Sequence, residues 1–353
     1  MTQVLAEQVD ARPATGGLVD RHGRTATDLR VSLTDRCNLR CTYCMPAEGQ
    51  EWLPDSHVLT DDEMIRLITI AVERLGVREV RFTGGEPLLR RGLEKLISAT
   101  TGLRTADGHT PETSITTNGL GLAHRAEGLV AAGLTRANVS LDTLDRARYA
   151  AITRRDRLPA VLAGLEAGRR AGLAPIKVNT VLMRGVNDDE AASLLRWSLD
   201  NGYRLRFIEQ MPLGPRESWD RAEMVTAAEI LDKLTAAFDL TELPGAARGA
   251  APAQTWSVDG GGPDGSWDVG IVASVTKPFC GSCDRVRLTS DGRLRNCLFA
   301  LRETNLLELM RSGIDDASLA DVWRTAMWGK SAQHGIESDG FVQPRRPMSA
   351  IGG

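Results

Sequence analysis

Arg30-Val31-Ser32-Leu33-Thr34, followed at once by Asp35-Arg36-Cys37-Asn38-Leu39-Arg40-Cys41-Thr42-Tyr43-Cys44, decides the architecture of this chain. The first five residues read as a β-strand, and three cysteines crowd into a C-x3-C-x2-C loop directly behind it. Loops at the C-terminal ends of parallel strands are where α/β barrels collect their active sites.

Outward from this stretch the alternation of strand and helix repeats. Thr60-Asp61-Asp62-Glu63 reads as a capping box, and Met64, Leu67, Ile68, Ala71 and Leu75 follow at helical spacing until Gly76. Further strands are predicted at Val77–Phe82, Ser114–Thr117, Thr135–Leu141, Ile176–Leu182 and Arg204–Ile208, with a helix over Leu158–Ala171. Six βα units fall short of the eight in a closed barrel, so the expected fold is α/β: a partial (βα)6 TIM-type barrel with a C-terminal extension closing the open side. The expected divisions are a flexible leader over 1–26, the barrel over 27–242, the extension over 243–342 and an irregular tail over 343–353. Within the extension, Leu243–Gly265 is rich in Gly, Pro and Ala and reads as a long loop.

Composition narrows the function. A net charge of -3 argues against general nucleic-acid binding, and no run of about eighteen apolar residues marks a membrane span. The N-terminal residues lack the pattern of a signal peptide, so a cytoplasmic location is expected. Reducing conditions there disfavour disulfides, and all six cysteines need another use. They form two triplets, Cys37, Cys41 and Cys44, then Cys280, Cys283 and Cys297. Three thiolates leave one iron of a 4Fe-4S cluster open to a ligand, whereas structural zinc normally takes four ligands. Zinc stays an alternative, chiefly at the second triplet, where His334 is a candidate fourth ligand.

Cys37 to Cys44, with an aromatic residue before the third cysteine, resembles the signature of the radical S-adenosylmethionine superfamily. Thr83-Gly84-Gly85-Glu86-Pro87 resembles that superfamily's GGE motif. Cys280-Gly281-Ser282-Cys283, Asp284-Arg285-Val286-Arg287-Leu288, Cys297 and the final Gly352-Gly353 are similar to the GTP 3′,8-cyclases of molybdenum cofactor biosynthesis. So are Thr116-Thr117-Asn118-Gly119, Asn138 to Asp142, Lys177-Val178-Asn179 and Arg206 to Glu209, whereas Asp284 stands where Asn or Thr is more usual.

The resemblance implies two 4Fe-4S clusters and S-adenosylmethionine, the latter held by Tyr43, Gly85, Ser140, Asn179 and Met211. It implies GTP surrounded by Arg30, Arg81, Thr116, Lys177, Arg206, Arg285, Val286 and Arg287, with Arg285, Arg287, Gly352 and Gly353 serving catalysis. The implied reaction removes the ribose 3′ hydrogen and joins that carbon to guanine C8, giving 3′,8-cyclo-7,8-dihydro-GTP. An electron donor protein and a downstream cyclic pyranopterin monophosphate synthase are implied as partners, and a homodimer is left open. The competing readings are a radical maturase of a peptide or protein, a non-catalytic iron-sulfur electron carrier and a zinc-ribbon module.

Overall fold

A computed structural model describes residues 12–14, 16–215, 219–245, 249–259, 267–338 and 340–352. Leu18–Val19 (β1) pairs antiparallel with Thr25–Ala26 (β2), and Leu18 is fully buried. The leader expectation is therefore corrected over 18–26. Arg24 is buried there, paired with Asp20 at 2.5 Å and donating to the carbonyls of Cys280, Ser331 and Ala332 at 2.7, 2.6 and 2.9 Å. Residues 1–11 lie outside the described residues.

The central strands are β3 (Asp28–Ser32), β4 (Glu79–Thr83), β5 (Glu112–Thr117), β6 (Arg136–Ser140), β7 (Ile176–Val181) and β8 (Arg204–Ile208). Between them lie α1 (Asp61–Thr69), α2 (Leu93–Thr101), α3 (Leu122–Ala131), α4 (Arg146–Thr153), α5 (Leu158–Ala171) and α6 (Ala191–Asp200). The capping box forms as read: Thr60 accepts from the Glu63 amide, and the Glu63 side chain accepts from the Thr60 amide. The first strand starts at Asp28 rather than Arg30, because Asp28 pairs in register with Glu79 and with Arg285.

After α7 (Ala227–Thr235), the chain adds β9 (Leu240–Glu242), β10 (Gln254–Val258), β11 (Asp268–Val272), β12 (Arg285–Leu288), β13 (Arg293–Arg295) and β14 (Thr304–Asn305). Strand β10 lies inside the segment read as a loop. It was hidden by its flanking Gly and Pro, and it exists because β9 and β11 pair with its two edges. The helices α8 (Leu306–Arg311), α9 (Asp316–Trp328) and α10 (Met348–Ile351) complete the described chain. The last of these corrects the irregular reading of the tail.

Among the described residues one sheet runs in the order β14-β13-β12-β3-β4-β5-β6-β7-β8-β11-β10-β9. From β12 through β3–β8 to β11 every neighbouring pair is parallel; the edge pairs are antiparallel. Residues added late in the chain thus extend the sheet on both sides. The sheet has one apolar face, carrying Leu29, Val31, Val80, Phe82, Ile115, Val139, Val178, Leu205, Phe207 and Val286, all buried in the main core. Each such side chain contributes about 1.5–3 kcal/mol of transfer free energy. Strand alternation puts Arg30, Arg81, Ser114, Thr116, Asn138, Ser140, Lys177, Asn179, Arg206, Arg285 and Arg287 on the opposite face. That face is polar almost throughout, which a core-forming surface would not be.

Candidate active site

The first cysteine triplet lies in the loop after β3, with the Cys44 and Met45 amides donating to the Cys41 carbonyl at 3.0 Å. All six cysteines are free thiols. Burial pushes the Cys37, Cys41 and Cys44 thiols up, and neighbouring thiolates add to the effect at Cys41 and Cys44; Cys44 reaches about 12. Three thiols whose ionisation is opposed by burial and by neighbouring negative charge form a donor set that a multiply charged metal group would stabilise as thiolates.

Two buried carboxylates stand beside them. Asp142, pushed up to about 6 by burial, accepts from Tyr43 Oη at 2.8 Å and from the Val181 amide at 2.9 Å. Glu86, pushed up to about 7 by burial, accepts from Thr117 Oγ1 and from the amides of Asn118 and Leu88. These bonds tie the GGE loop to the end of β5. A Cβ on Gly85 would come within 2.3 Å of the Arg36 carbonyl oxygen, and the Gly85 amide donates to the Thr34 carbonyl at 2.7 Å. This glycine is thus required where the GGE loop packs on the cysteine loop. Tyr43 and Met211 line, with Cys44, Val181, Glu209 and Met348, a cavity of about 50 Å³. A larger cavity of about 430 Å³ lies at the N-terminal ends of β7 and β8, lined by Arg169, Pro175, Arg204 and Trp267, and none of the predicted site residues borders it.

The second triplet has a different setting. Burial raises the Cys283 thiol, but Lys330, Arg285 and Arg287 together hold it below its ordinary value. Lys330 Nζ is 3.3 Å from Cys283 Sγ. His334 is not a zinc ligand: its Nδ1 accepts from the Ile336 amide at 3.1 Å, leaving Nε2–H to donate to the Ser274 carbonyl at 3.0 Å. Among the described residues no group of three or more His, Cys, Asp or Glu is gathered so as to hold a single metal ion.

The cations converge on the polar face. Arg287, Arg30 and Arg81 are register partners across β12, β3 and β4, and the Nε of each is buried without a hydrogen-bond partner. Burial and the Arg81 charge push Arg30 well down, and burial pushes Arg287 down to about 10. Asp28, 3.8–4.0 Å from Arg30, Arg81 and Arg285, offsets part of this charge. Lys177 is pushed down to about 8 by burial and by Arg206, Arg81 and Arg136. Arg206 pairs with Asp268, and Arg285 lies 4.8 Å from the centre of the Phe279 ring. Val286 points away, into the apolar core, so its side chain is not on this face.

Gly352 reaches the ends of β3 and β4, where an added Cβ would stand 2.7 Å from Thr83 Cγ2 and 3.3 Å from Ser32 Cβ. Its φ of +76° also suits glycine. Gly353 lies outside the described residues. Sequence reasoning missed Lys330, Arg24 and the pair formed by Arg346 with Asp291 at 2.6 and 2.9 Å. Only the last pair had any signal, an Arg in a tail with few other side chains to hold it.

The model of the Radical SAM superfamily matches residues 31–198, and that of Molybdenum Cofactor Synthesis C matches 203–336. The crystal structure of Streptococcus suis SuiB bound to S-adenosylmethionine is similar, with a TM-score of 0.56 at 16% identity over 86% of this chain and 67% of that one. Fold and cysteine loop together define a radical S-adenosylmethionine protein. A GTP 3′,8-cyclase of Corynebacterium glutamicum (strain ATCC 13032) is 58% identical over 97% of this chain and 91% of its own length. One from Streptomyces coelicolor is 57% identical over 95% and 96%. The chain belongs to the GTP 3′,8-cyclase family. The peptide-maturase, electron-carrier and zinc-ribbon readings give way to that membership.

Proposed function

We propose that this chain cyclises GTP to 3′,8-cyclo-7,8-dihydro-GTP, the first step of molybdenum cofactor biosynthesis, and that the polar face of the sheet is where it does so. The observation carrying this is the row Arg287, Arg30 and Arg81, whose three buried Nε–H groups lack partners. Orphaned guanidinium donors on adjacent strands are a costly arrangement unless an anion completes them, and a triphosphate supplies enough oxygens.

The sheet is taken to curve into a partial (βα)6 barrel over 27–242, with the extension over 243–342 closing the gap. Cys37, Cys41 and Cys44 hold one 4Fe-4S cluster; Cys280, Cys283 and Cys297 hold the other. Bound at the first, S-adenosylmethionine supplies the radical that takes the ribose 3′ hydrogen. Tyr43, Gly85, Ser140, Asn179 and Met211 position that cofactor. Arg30, Arg81, Thr116, Lys177, Arg206, Arg285 and Arg287 hold GTP, with Val286 contributing backbone only. Gly352 and Gly353 enter the same space, where side chains would crowd the substrate. An electron donor protein, a cyclic pyranopterin monophosphate synthase receiving the product and a cytoplasmic location belong to the same proposal, with a homodimer left open. No helix among the described residues is long and apolar enough to cross a membrane.

Deuterium at C3′ of GTP tests the reaction under anaerobic conditions with S-adenosylmethionine and a reductant. The label is expected in 5′-deoxyadenosine, with ATP refused. Retention of the label in the nucleotide product would refute the proposal.

A further inference from the structure

Lys330 follows α9 and is 2% exposed, deeper than lysines usually lie. Its Nζ has three acceptors: the Cys283 carbonyl at 3.1 Å, Cys283 Sγ at 3.3 Å and the Arg285 carbonyl at 2.9 Å. The two carbonyls use two N–H bonds, and once Cys283 is a cluster thiolate, which can only accept, the third N–H of the ammonium is needed to meet it. A buried ammonium needs a compensating anion, and the thiolate of Cys283 is the group in contact with it.

The segment bearing Lys330 is itself fixed. Buried Arg24 donates to the next two carbonyls, Ser331 and Ala332, and to the Cys280 carbonyl, so one guanidinium joins the cysteine loop to the strap that carries the lysine. Lys330 closes the link from the other side through the Cys283 and Arg285 carbonyls. Its charge is therefore held against one particular ligand of the second triplet, and at the root of the strand that presents Arg285 and Arg287. No comparable contact occurs at the first triplet among the described residues, where an amide and Asn118 Nδ2, both neutral, approach Cys37 Sγ at 3.5 and 3.8 Å.

We infer that Lys330 is a positioning and tuning residue for the second cluster, and this rests on the two-cluster reading above. A charged N–H donor on a cluster thiolate withdraws electron density from the sulfur, which raises the reduction potential and leaves the open iron a better acceptor for a neutral ring donor. The cluster is thereby suited to holding the substrate base.

The test uses full-length, anaerobically reconstituted holoprotein, with the midpoint potential of each cluster followed by EPR during reductive titration without GTP. Lys330→Met should shift the second midpoint to more negative values and leave the first unchanged, while Lys330→Arg, which keeps the charge, should stay near wild type. Lys330→Gln, which keeps an N–H but no charge, should fall between them. Unmoved potentials in the Met and Gln variants at full iron content would overturn the inference. So would loss of second-site iron in all three variants, Arg included, because the residue would then act through packing rather than charge. Wild-type protein with far fewer than about eight irons, four per cluster, would instead sink the two-cluster reading.

Discussion

The two cysteine triplets have the same ligand count and opposite surroundings. Cys37, Cys41 and Cys44 share their pocket with Glu86 and Asp142, and burial together with like charge makes all three thiols hard to ionise. Cys283, equally part of a triplet, lies against Lys330 and near Arg285 and Arg287, which ease its ionisation despite burial. The first setting is thus the more acidic and the second the more basic, a division that supports the proposal of cofactor at one triplet and polyanionic substrate beside the other.

The sharpest way to break that division is to remove one ligand from each side. Cys41→Ala should abolish cleavage of S-adenosylmethionine altogether, whereas Cys283→Ala should keep some uncoupled cleavage and lose cyclisation; 5′-deoxyadenosine and cyclised nucleotide are assayed separately. Equal loss of both products in the two variants would erase the distinction. Deleting Gly352 and Gly353 comes next. Cyclisation should fall strongly with iron content and melting temperature nearly unchanged, and full activity in the truncated protein would return the tail to a passive role.

A smaller effect concerns the substrate side through Lys177. In the free protein this lysine loses its proton near pH 8, below its ordinary 10.5. Triphosphate favours the ammonium, so GTP binding takes up a proton above pH 8, and affinity should weaken as pH rises, by up to about tenfold per unit. The sign for folding is the reverse: a depressed lysine costs stability in full below about pH 8, and that cost fades as pH rises from 8 to 10.5. Lys177→Arg should flatten the affinity profile between pH 8 and 10, measured by calorimetry, because guanidinium stays charged. A profile unchanged in the variant would move the proton uptake elsewhere. Smallest is Thr60→Ala, which removes the α1 cap. It should cost about 1 kcal/mol in denaturant unfolding and leave both product assays alone; a change in coupling would tie α1 to the site.

Much of the scaffold was legible because local signals agreed. The Thr60 capping box and the Leu158–Ala171 helix appear at the expected places, and the order of strands and helices through Ile208 follows from hydrophobic period. Beyond that, local signals failed where partners were remote. Strand β10 is read as loop until β9 and β11 bracket it, and residues 18–26 look featureless until Arg24 is seen reaching carbonyls about three hundred residues away. Lys330 carries no motif, since the sulfur it touches belongs to a residue 47 positions back in the chain.

What the sequence determined by itself is the chemistry on offer: two cysteine triplets, the GGE turn after the second βα strand, and strands whose alternate residues are charged. These are covalent spacings and period-two patterns, which need no knowledge of the fold. What the tertiary structure alone decided is the electrostatic character of each site. Parallel registry across β12, β3 and β4 brings Arg287, Arg30 and Arg81 side by side, and packing of the strap after α9 sets an ammonium against one thiolate. Charge interactions depend on distance and on exclusion of water, and both exist only once distant segments have been packed together.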